Sequence, residues 1–428
     1  MVNIFIKSFG CSANLSDGEI IGGLLVKAGH KITDETKADI MIINVCTVKG
    51  ENTAIKDIKI LRKNINYPDK KKYLITGCIT PKIISEIEKL IKAVSFLSTH
   101  NIIDVVEVIK LIIQDKKIIN IEKRTCEKIL FPRNKKNSSI GIVQIATGCF
   151  NMCSYCSTKL IKGNLFSFSP ENIIKDVENF IKEGCKEIWL TAQDTACYGL
   201  DINTDITELL EKLCSIKGDF FIRLGMGNPR YFIKFIDKLI PVFKNKKMFK
   251  FLHMPVQSGD DVVLKNMNRG YNVKDFEDIV YKFKKEIPEM TISTDIIVGF
   301  PEETEEQFKD SFNLIKRIKP AVLNISRFIP RENTLAFDRK LVSSNDQKKR
   351  SKALTLLHKK IALEISNSWK GWKGRVLVDE RRKDFSVLSR NFAYKPIVIK
   401  QDIPLNSYVD VEIIETKTHH FIGKVKNE

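Results

Sequence analysis

Strand and helix signals alternate along most of this chain, and that rhythm admits few architectures. Runs of β-branched residues at Ile4–Phe9, Asp39–Val45, Tyr73–Thr76 and Val94–Ser98 are separated by helical patterns such as Gly18–Ala28, Pro81–Ile91 and Ile102–Ile113. Alternation of this kind builds a parallel sheet with helices on both faces. A basic, polar stretch around FPRNKKNSS breaks the pattern, which restarts at Gly141. Six further strands are expected, at Ile142–Ala146, Glu187–Thr191, Phe220–Leu224, Phe251–Met254, Ile292–Val298 and Val322–Phe328. Six βα units suggest a full or partial barrel with its chemistry at the C-terminal strand ends. After a charged helix over Asn345–Asn367 only short β-like runs remain, as in a small all-β barrel. The expected fold is therefore α/β. A doubly wound N-terminal sheet spans 1–115 and a basic linker 116–139; a central partial (β/α)6 barrel spans 140–366 and a small β-barrel 367–428.

Composition narrows the function. A chain of 428 residues exceeds one ordinary core, and 43% hydrophobic content argues against wholesale disorder. Seventy-one Lys and Arg against 52 Asp and Glu give a net charge of +19. That excess favours a polyanionic partner, nucleic acid ahead of an anionic membrane surface. The abundance of Lys, Ile and Asn also matches a compositional bias of the genome. No run of 18 apolar residues spans a membrane, and MVNIFIKSFG lacks the basic-then-apolar order of a signal peptide. The expected setting is the cytoplasm, where ten cysteines read as metal ligands, catalytic thiols or small buried groups.

Cys149, Cys153 and Cys156 form C-x3-C-x2-C directly after the first strand of the second alternation. Three thiolates on one short loop suit three irons of a cubane cluster and leave the fourth iron open. A zinc site completed by a distant ligand is the alternative. Cys11, Cys46 and Cys78 are far apart in sequence, yet each stands at the C-terminal end of a predicted strand. Parallel strands share that edge, so the topology brings the three thiols together if the strands are neighbours. The alternative is three small buried residues. Cys126, Cys185, Cys197 and Cys214 are read as bystanders.

C-x3-C-x2-C after a first strand resembles the radical S-adenosylmethionine (SAM) enzymes. Over nearly the whole chain the resemblance is to their methylthiotransferase branch, on FGCSANLSDGE, NVCTV, TGC, TGCFNMCSYC, LHMPVQSGDDVVLKNMNRGY and STDIIVGFPEETEEQF. CSTKLIKGNLFSF, EIWLTAQDTACYGLD and RLGMGNP are similar to the archaeal and eukaryotic threonylcarbamoyladenosine tRNA branch. The resemblance implies that residues 367–428 are a TRAM-like RNA-binding barrel. It implies two [4Fe–4S] clusters, one on Cys149, Cys153 and Cys156 and one on Cys11, Cys46 and Cys78. It implies two SAM molecules, one cleaved to a radical that takes hydrogen from C2 of the modified adenine at position 37, the other methylating the inserted sulfur.

Further residues carry over from the resemblance. Tyr155, Gln193, Asp194, Arg223, Gln257, Ile297 and Gly299 match SAM-contacting positions. Lys159, Lys162, Arg381, Arg382 and Lys383 are candidate contacts to tRNA phosphate, with the three C-terminal ones on a hairpin. Glu302 stands where the family usually has Gly, and PRENTLA (330–336) replaces PRPGTPA. Expected partners are the anticodon arm of tRNA, an electron-donor protein and a sulfur donor, with the chain a monomer. The competing readings are a methylthiotransferase for another tRNA adenosine or a ribosomal protein, and an iron–sulfur RNA-binding protein without methylthio chemistry.

Overall fold

The computed structural model describes residues 1–47, 50–63, 71–382 and 384–426. They form two compact units: residues 1–136, 142–149 and 157–176 in the first; 137–141, 150–156 and 177–428 in the second.

The first unit is built on a parallel sheet of strands β1 (Asn3–Ser8), β2 (Lys31–Ile32), β3 (Ile40–Val45), β4 (Lys72–Gly77), β5 (Val94–Ser98) and β6 (Ile119–Asn120). Their order is β2-β1-β3-β4-β5-β6. Every residue of β3 is buried, because helices cover both faces. Met41, Ile43 and Val45 join one apolar cluster, while Ile40 and Ile42 join the other. Alternate side chains of a strand point to opposite faces, so one hydrophobic run feeds two cores. Strand β6 comes from the stretch read as a linker, and it pairs with β5. The first helix, Ser12–Lys27, begins six residues before its apolar periodicity does. Its first turns are polar yet buried: Asn14, Ser16 and Asp17 are at most 1% exposed. Each finds a hydrogen-bond partner there, which is the condition for burying such groups.

The next strands are β7 (Ile140–Gln144), β8 (Ala146–Thr147), β9 (Phe166–Ser167), β10 (Glu187–Thr191), β11 (Phe221–Leu224), β12 (Phe251–His253), β13 (Thr291–Val298) and β14 (Val322–Arg327). Strands β8 and β9 pair antiparallel in the first unit. In the second unit β10 and β11 run parallel, with the chain leading into β7 bonded beside β10. Strands β12, β13 and β14 form a second parallel sheet. This is the six-stranded partial barrel expected from the alternation. Its helices open on side-chain caps: Asp205, Asn228, Asn272 and Thr304 each accept from a backbone N–H of the following turn. Thr304 and Gln307 complete a reciprocal capping box. No helix among the described residues is long and apolar enough to cross a membrane.

Strands β15 (Lys373–Arg381), β16 (Val387–Arg390), β17 (Pro396–Ile399), β18 (Tyr408–Thr416) and β19 (Phe421–Val425) close a barrel in the order β15-β16-β17-β19-β18. Trp369, Val378, Ile397, Val411 and Phe421 are among the residues that fill it. Barrel and parallel strands are joined within the second unit. Lys250 N donates to Phe392 O at 2.7 Å, and Thr291 Oγ1 to Ala393 O at 2.8 Å. Tyr394 packs its ring 4.8 Å from that of Phe249 and 5.1 Å from that of Phe251.

Beside this junction two buried carboxyl groups, Glu187 and Asp379, meet one guanidinium, with Arg390 Nε 2.9 Å from Asp379. Burial, with Glu187 adding to it, pushes the Asp379 carboxyl up to about 8, against the pull of Arg390. The folded chain thus holds a proton that the unfolded chain releases above the ordinary carboxylate range. That contribution to stability is complete at acid pH and is lost as pH rises toward 8. Asp379→Asn, neutral throughout, is expected to flatten this part of the profile. Between pH 6 and 8 the wild-type chain should lose up to about 1.4 kcal/mol per pH unit relative to the variant. Thermal unfolding at the two pH values checks it, and parallel losses would refute it.

Candidate cysteine centres

Cys11, Cys46 and Cys78 converge at the C-terminal edge of the first sheet, just past β1, β3 and β4, which are adjacent. The Cys46 thiol lies within hydrogen-bonding reach of both Cys11 and Cys78. Gly10 makes the approach possible. Its φ is +97°, and a Cβ there would stand 2.1 Å from Cys46 Cβ. Two buried asparagines fix the strand ends. Asn14 Nδ2 donates to Phe9 O at 2.6 Å and to Asn44 O at 3.2 Å, and Asn44 Nδ2 donates to Asn14 O at 2.6 Å.

The electrostatics favour thiolate at two of the three positions. The hydrogen bond from Cys46 brings Cys11 down to about 6, helped by Lys162 and opposed by burial. Cys11 is also the N-cap of the helix Ser12–Lys27, where the helix dipole favours an anion. The same partner lowers Cys78 to about 7, and Cys46 is correspondingly raised. Three soft sulfur donors on one edge fit an iron–sulfur cluster with one iron left open.

The second motif spans both units. Cys149 ends a segment of the first; Cys153 and Cys156 lie in the second. Cys149 is held through its backbone: its N–H donates to Gly163 O at 3.2 Å, and Lys159 Nζ donates to its carbonyl. Lys159, expected at a phosphate, thus has a partner inside the fold.

In the second unit the loop around Cys153 is tied to the end of the helix Asp261–Asn266 and to the segment 330–336. Ser154 N donates to Met267 O and Ser154 Oγ to Asn266 O, while Ala336 N donates to Ser154 O. PRENTLA therefore docks on the cysteine loop. Asn333 replaces the usual Gly and takes φ +63°, a conformation asparagine tolerates better than most residues. Glu302 likewise takes φ +66°, which explains the family's Gly there. Its N–H donates to Lys340 O, and its carboxylate is 2.8 Å from Arg339.

Asp194, at the C-terminal end of β10, is 2% exposed. Its carboxylate accepts from Asn151 Nδ2 at 2.6 Å, Asn228 N at 2.9 Å and Ala196 N at 3.1 Å. Burial raises its pKa, and these donors oppose the rise. Asn228 Nδ2 in turn donates to Asn151 Oδ1 at 3.1 Å, joining the cysteine loop to two strand ends. Gln193 Oε1 and Gln257 Oε1 are buried and have no hydrogen-bond partner among the described residues, and Gln257 sits at φ +75°. Buried acceptors left open in this way fit a polar ligand. Arg223 lies 5.1–5.2 Å from the ring centroids of Trp189, Phe251 and Tyr394, and its Nε has no hydrogen-bond partner among the described residues. Ile297 packs with Tyr155 on Phe300 and Phe328, and Gly299 N donates to Glu303 Oε2 at 2.7 Å.

Arg269 escaped the sequence reading. Only 6% exposed, it places Nη1 3.2 Å from Cys153 Sγ and 3.4 Å from the Tyr155 hydroxyl, and Nη2 3.0 Å from Pro255 O. An always-charged donor on a ligand sulfur stabilises thiolate. NMNRGY carried the family resemblance, but nothing in the sequence points this guanidinium at Cys153.

The basic candidates divide. Arg381 and Arg382 stand half-exposed at the β15–β16 hairpin, 3.2 Å from Asp402 and 3.8 Å from Asp384 respectively. Lys383 lies outside the described residues. Lys162 is a correction. It is 4% exposed, so its ammonium cannot meet an RNA backbone, and it donates instead to Thr99 Oγ1 at 2.7 Å. Its position next to the cysteine motif suggested a surface; the helix Thr158–Lys162 turns it inward.

A strand-edge cysteine site in the first unit and a partial parallel barrel in the second define the class, and comparison with known proteins agrees. The Radical SAM superfamily matches residues 143–315, and the Uncharacterized protein family UPF0004 matches residues 3–98. A protein of Pyrococcus horikoshii named probable threonylcarbamoyladenosine tRNA methylthiotransferase is 40% identical over 94% of this chain and 94% of its own length. One of Archaeoglobus fulgidus with the same name is 36% identical over 100% and 99%. The mouse threonylcarbamoyladenosine tRNA methylthiotransferase is 34% identical over 99% of this chain and 74% of its own. Among solved structures, the cobalamin-dependent SAM radical enzyme OxsB superposes with a TM-score of 0.55 at 11% identity. That match covers 83% of this chain and 56% of that one, a likeness of fold. The chain belongs to the threonylcarbamoyladenosine tRNA methylthiotransferase family of radical SAM proteins.

Proposed function

We propose that this chain is a radical SAM enzyme that adds a methylthio group to C2 of N6-threonylcarbamoyladenosine at position 37 of tRNA. The observation that carries the reading is the meeting of Cys11, Cys46 and Cys78 on one sheet edge, in a chain that also has C-x3-C-x2-C. Cys149, Cys153 and Cys156 would hold one [4Fe–4S] cluster and Cys11, Cys46 and Cys78 a second. With two SAM molecules, the bound groups supply a radical able to take hydrogen from an unactivated aromatic carbon, and the sulfur and methyl inserted there.

The chain's own residues position and insulate these groups. Asn151, Asp194 and Asn228 lock the cysteine loop to the strand ends. Arg269 donates to the Cys153 sulfur, and the open amide oxygens of Gln193 and Gln257 would receive SAM donors beside Tyr155, Arg223, Ile297 and Gly299. Residues 1–115, 140–366 and 367–428 would act as cluster, radical and RNA-binding domains, joined by 116–139. Arg381, Arg382 and Lys383 would reach the anticodon arm, where neutralised phosphates make binding salt-dependent. An electron-donor protein and a sulfur donor would serve a cytoplasmic monomer.

The test is an anaerobic reaction of reconstituted protein with SAM, dithionite, sulfide and tRNA bearing the threonylcarbamoyl nucleoside, followed by nucleoside mass spectrometry. A methylthio gain is expected. Production of 5′-deoxyadenosine without that gain would move the substrate elsewhere. Absence of both from a fully loaded protein would leave an RNA-binding protein.

A further inference from the structure

Lys162 and Lys128 are buried side by side in the first unit, at 4% and 3% exposure. They share one carboxylate. Lys128 Nζ is 2.7 and 3.0 Å from the two oxygens of Asp17, which is fully buried, while Lys162 Nζ stands 3.9 Å away. Thr99 Oγ1 bridges the group, 2.7 Å from Lys162 Nζ, 3.0 Å from Lys128 Nζ and 2.7 Å from Asp17 Oδ2. Gln144 Nε2 takes a further place on Asp17 Oδ1 at 2.8 Å. Two ammoniums against one carboxylate leave a buried surplus of one positive charge. An isolated buried cation is costly, so the surplus calls for an anion nearby. Thr99, which Lys162 bonds, donates its own N–H at 2.9 Å to the carbonyl of Gly77, the residue before Cys78, so the surplus lies at the strand edge that carries Cys78.

We propose that Lys162 is a positioning residue of the three-cysteine centre, its buried charge offsetting the anionic sulfur gathered at Cys11, Cys46 and Cys78 and setting the potential of the cluster there. The same short helix, Thr158–Lys162, also supplies the Lys159 bond to the Cys149 carbonyl, so one element serves both cysteine motifs. This inference rests on the cluster reading above. Removing a fixed positive charge beside a cluster disfavours adding an electron, because low-dielectric surroundings screen it poorly.

The test uses the full chain carrying Cys149→Ala, Cys153→Ala and Cys156→Ala, so that only the cluster on Cys11, Cys46 and Cys78 is read. Redox titration followed by electron paramagnetic resonance compares Lys162, Lys162→Met and Lys162→Arg. Lys162→Met is expected to shift the one-electron reduction equilibrium against reduction by about tenfold or more, about 59 mV, with Lys162→Arg near wild type. A Lys162→Met protein with full iron content and an unchanged potential would overturn the proposal and leave Lys162 as a helix anchor on Thr99. If Lys162→Met folds but takes up no cluster, Lys162→Arg decides. Loading with the wild-type potential upholds the role of charge, and equal emptiness overturns it. No iron in the Lys162 parent would instead overturn the cluster reading itself, before any change at Lys162.

Discussion

Replacing Cys46 with alanine will end methylthio transfer while SAM cleavage continues. Cys46 is the middle member of its centre, in reach of both Cys11 and Cys78, so its loss leaves two donors that no longer share a neighbour. Iron should fall from about eight to about four per chain, since each cubane carries four. The converse variant, Cys153→Ala, removes the sulfur that Arg269 holds. It is expected to abolish 5′-deoxyadenosine formation and to keep the other half of the iron. Iron analysis and product chromatography on both proteins give the comparison. Equal loss of SAM cleavage in the two variants would contradict the assignment of separate tasks.

The second large effect concerns stability. Asp17→Ala strands Lys128 and Lys162 in the interior without their carboxylate. Breaking a buried pair in this way costs about 3–5 kcal/mol. That is a large fraction of the stability of an ordinary domain. Asp17 itself is held below the ordinary carboxylate range, burial being outweighed by the two lysines and by the Thr99 hydroxyl. Its contribution is therefore present at neutral pH and lost as pH falls through that lowered value. Urea unfolding of the metal-free chain at pH 7 should show an early transition in Asp17→Ala. Asp17→Leu combined with Lys128→Met, which removes both members of the closest pair, should recover part of the loss. A wild-type midpoint for Asp17→Ala would mean that the buried network contributes little.

The convergence of Cys11, Cys46 and Cys78 was legible because it depends on topology rather than on detail. Strand ends at Phe9, Val45 and Thr76 placed Cys11, Cys46 and Cys78 on a common edge as soon as the sheet was parallel. The departures from the family pattern became intelligible only with backbone angles. Glu302 and Asn333 both occupy left-handed positions where glycine is otherwise favoured. The two-residue strands Lys31–Ile32 and Ile119–Asn120 escaped detection, as did Val387–Arg390, because neighbours rather than local pattern define them. Lys162 was misread for a related reason. A lysine beside a motif looks solvated in sequence, and its burial depends on Asp17 and Thr99, 145 and 63 positions away.

By itself the sequence determined the order of α/β sheet, partial barrel and small β-barrel, and the family. Those follow from hydrophobic period, from spacing and from residue type, all of which are local. The tertiary structure alone decided what surrounds each sulfur. Arg269 on Cys153, the Asn151–Asp194–Asn228 lock, and the shared charge of Lys128, Lys162 and Asp17 join residues distant in the chain. Hydrogen bonds and buried charge act over a few ångströms, and only folding brings such residues within that range.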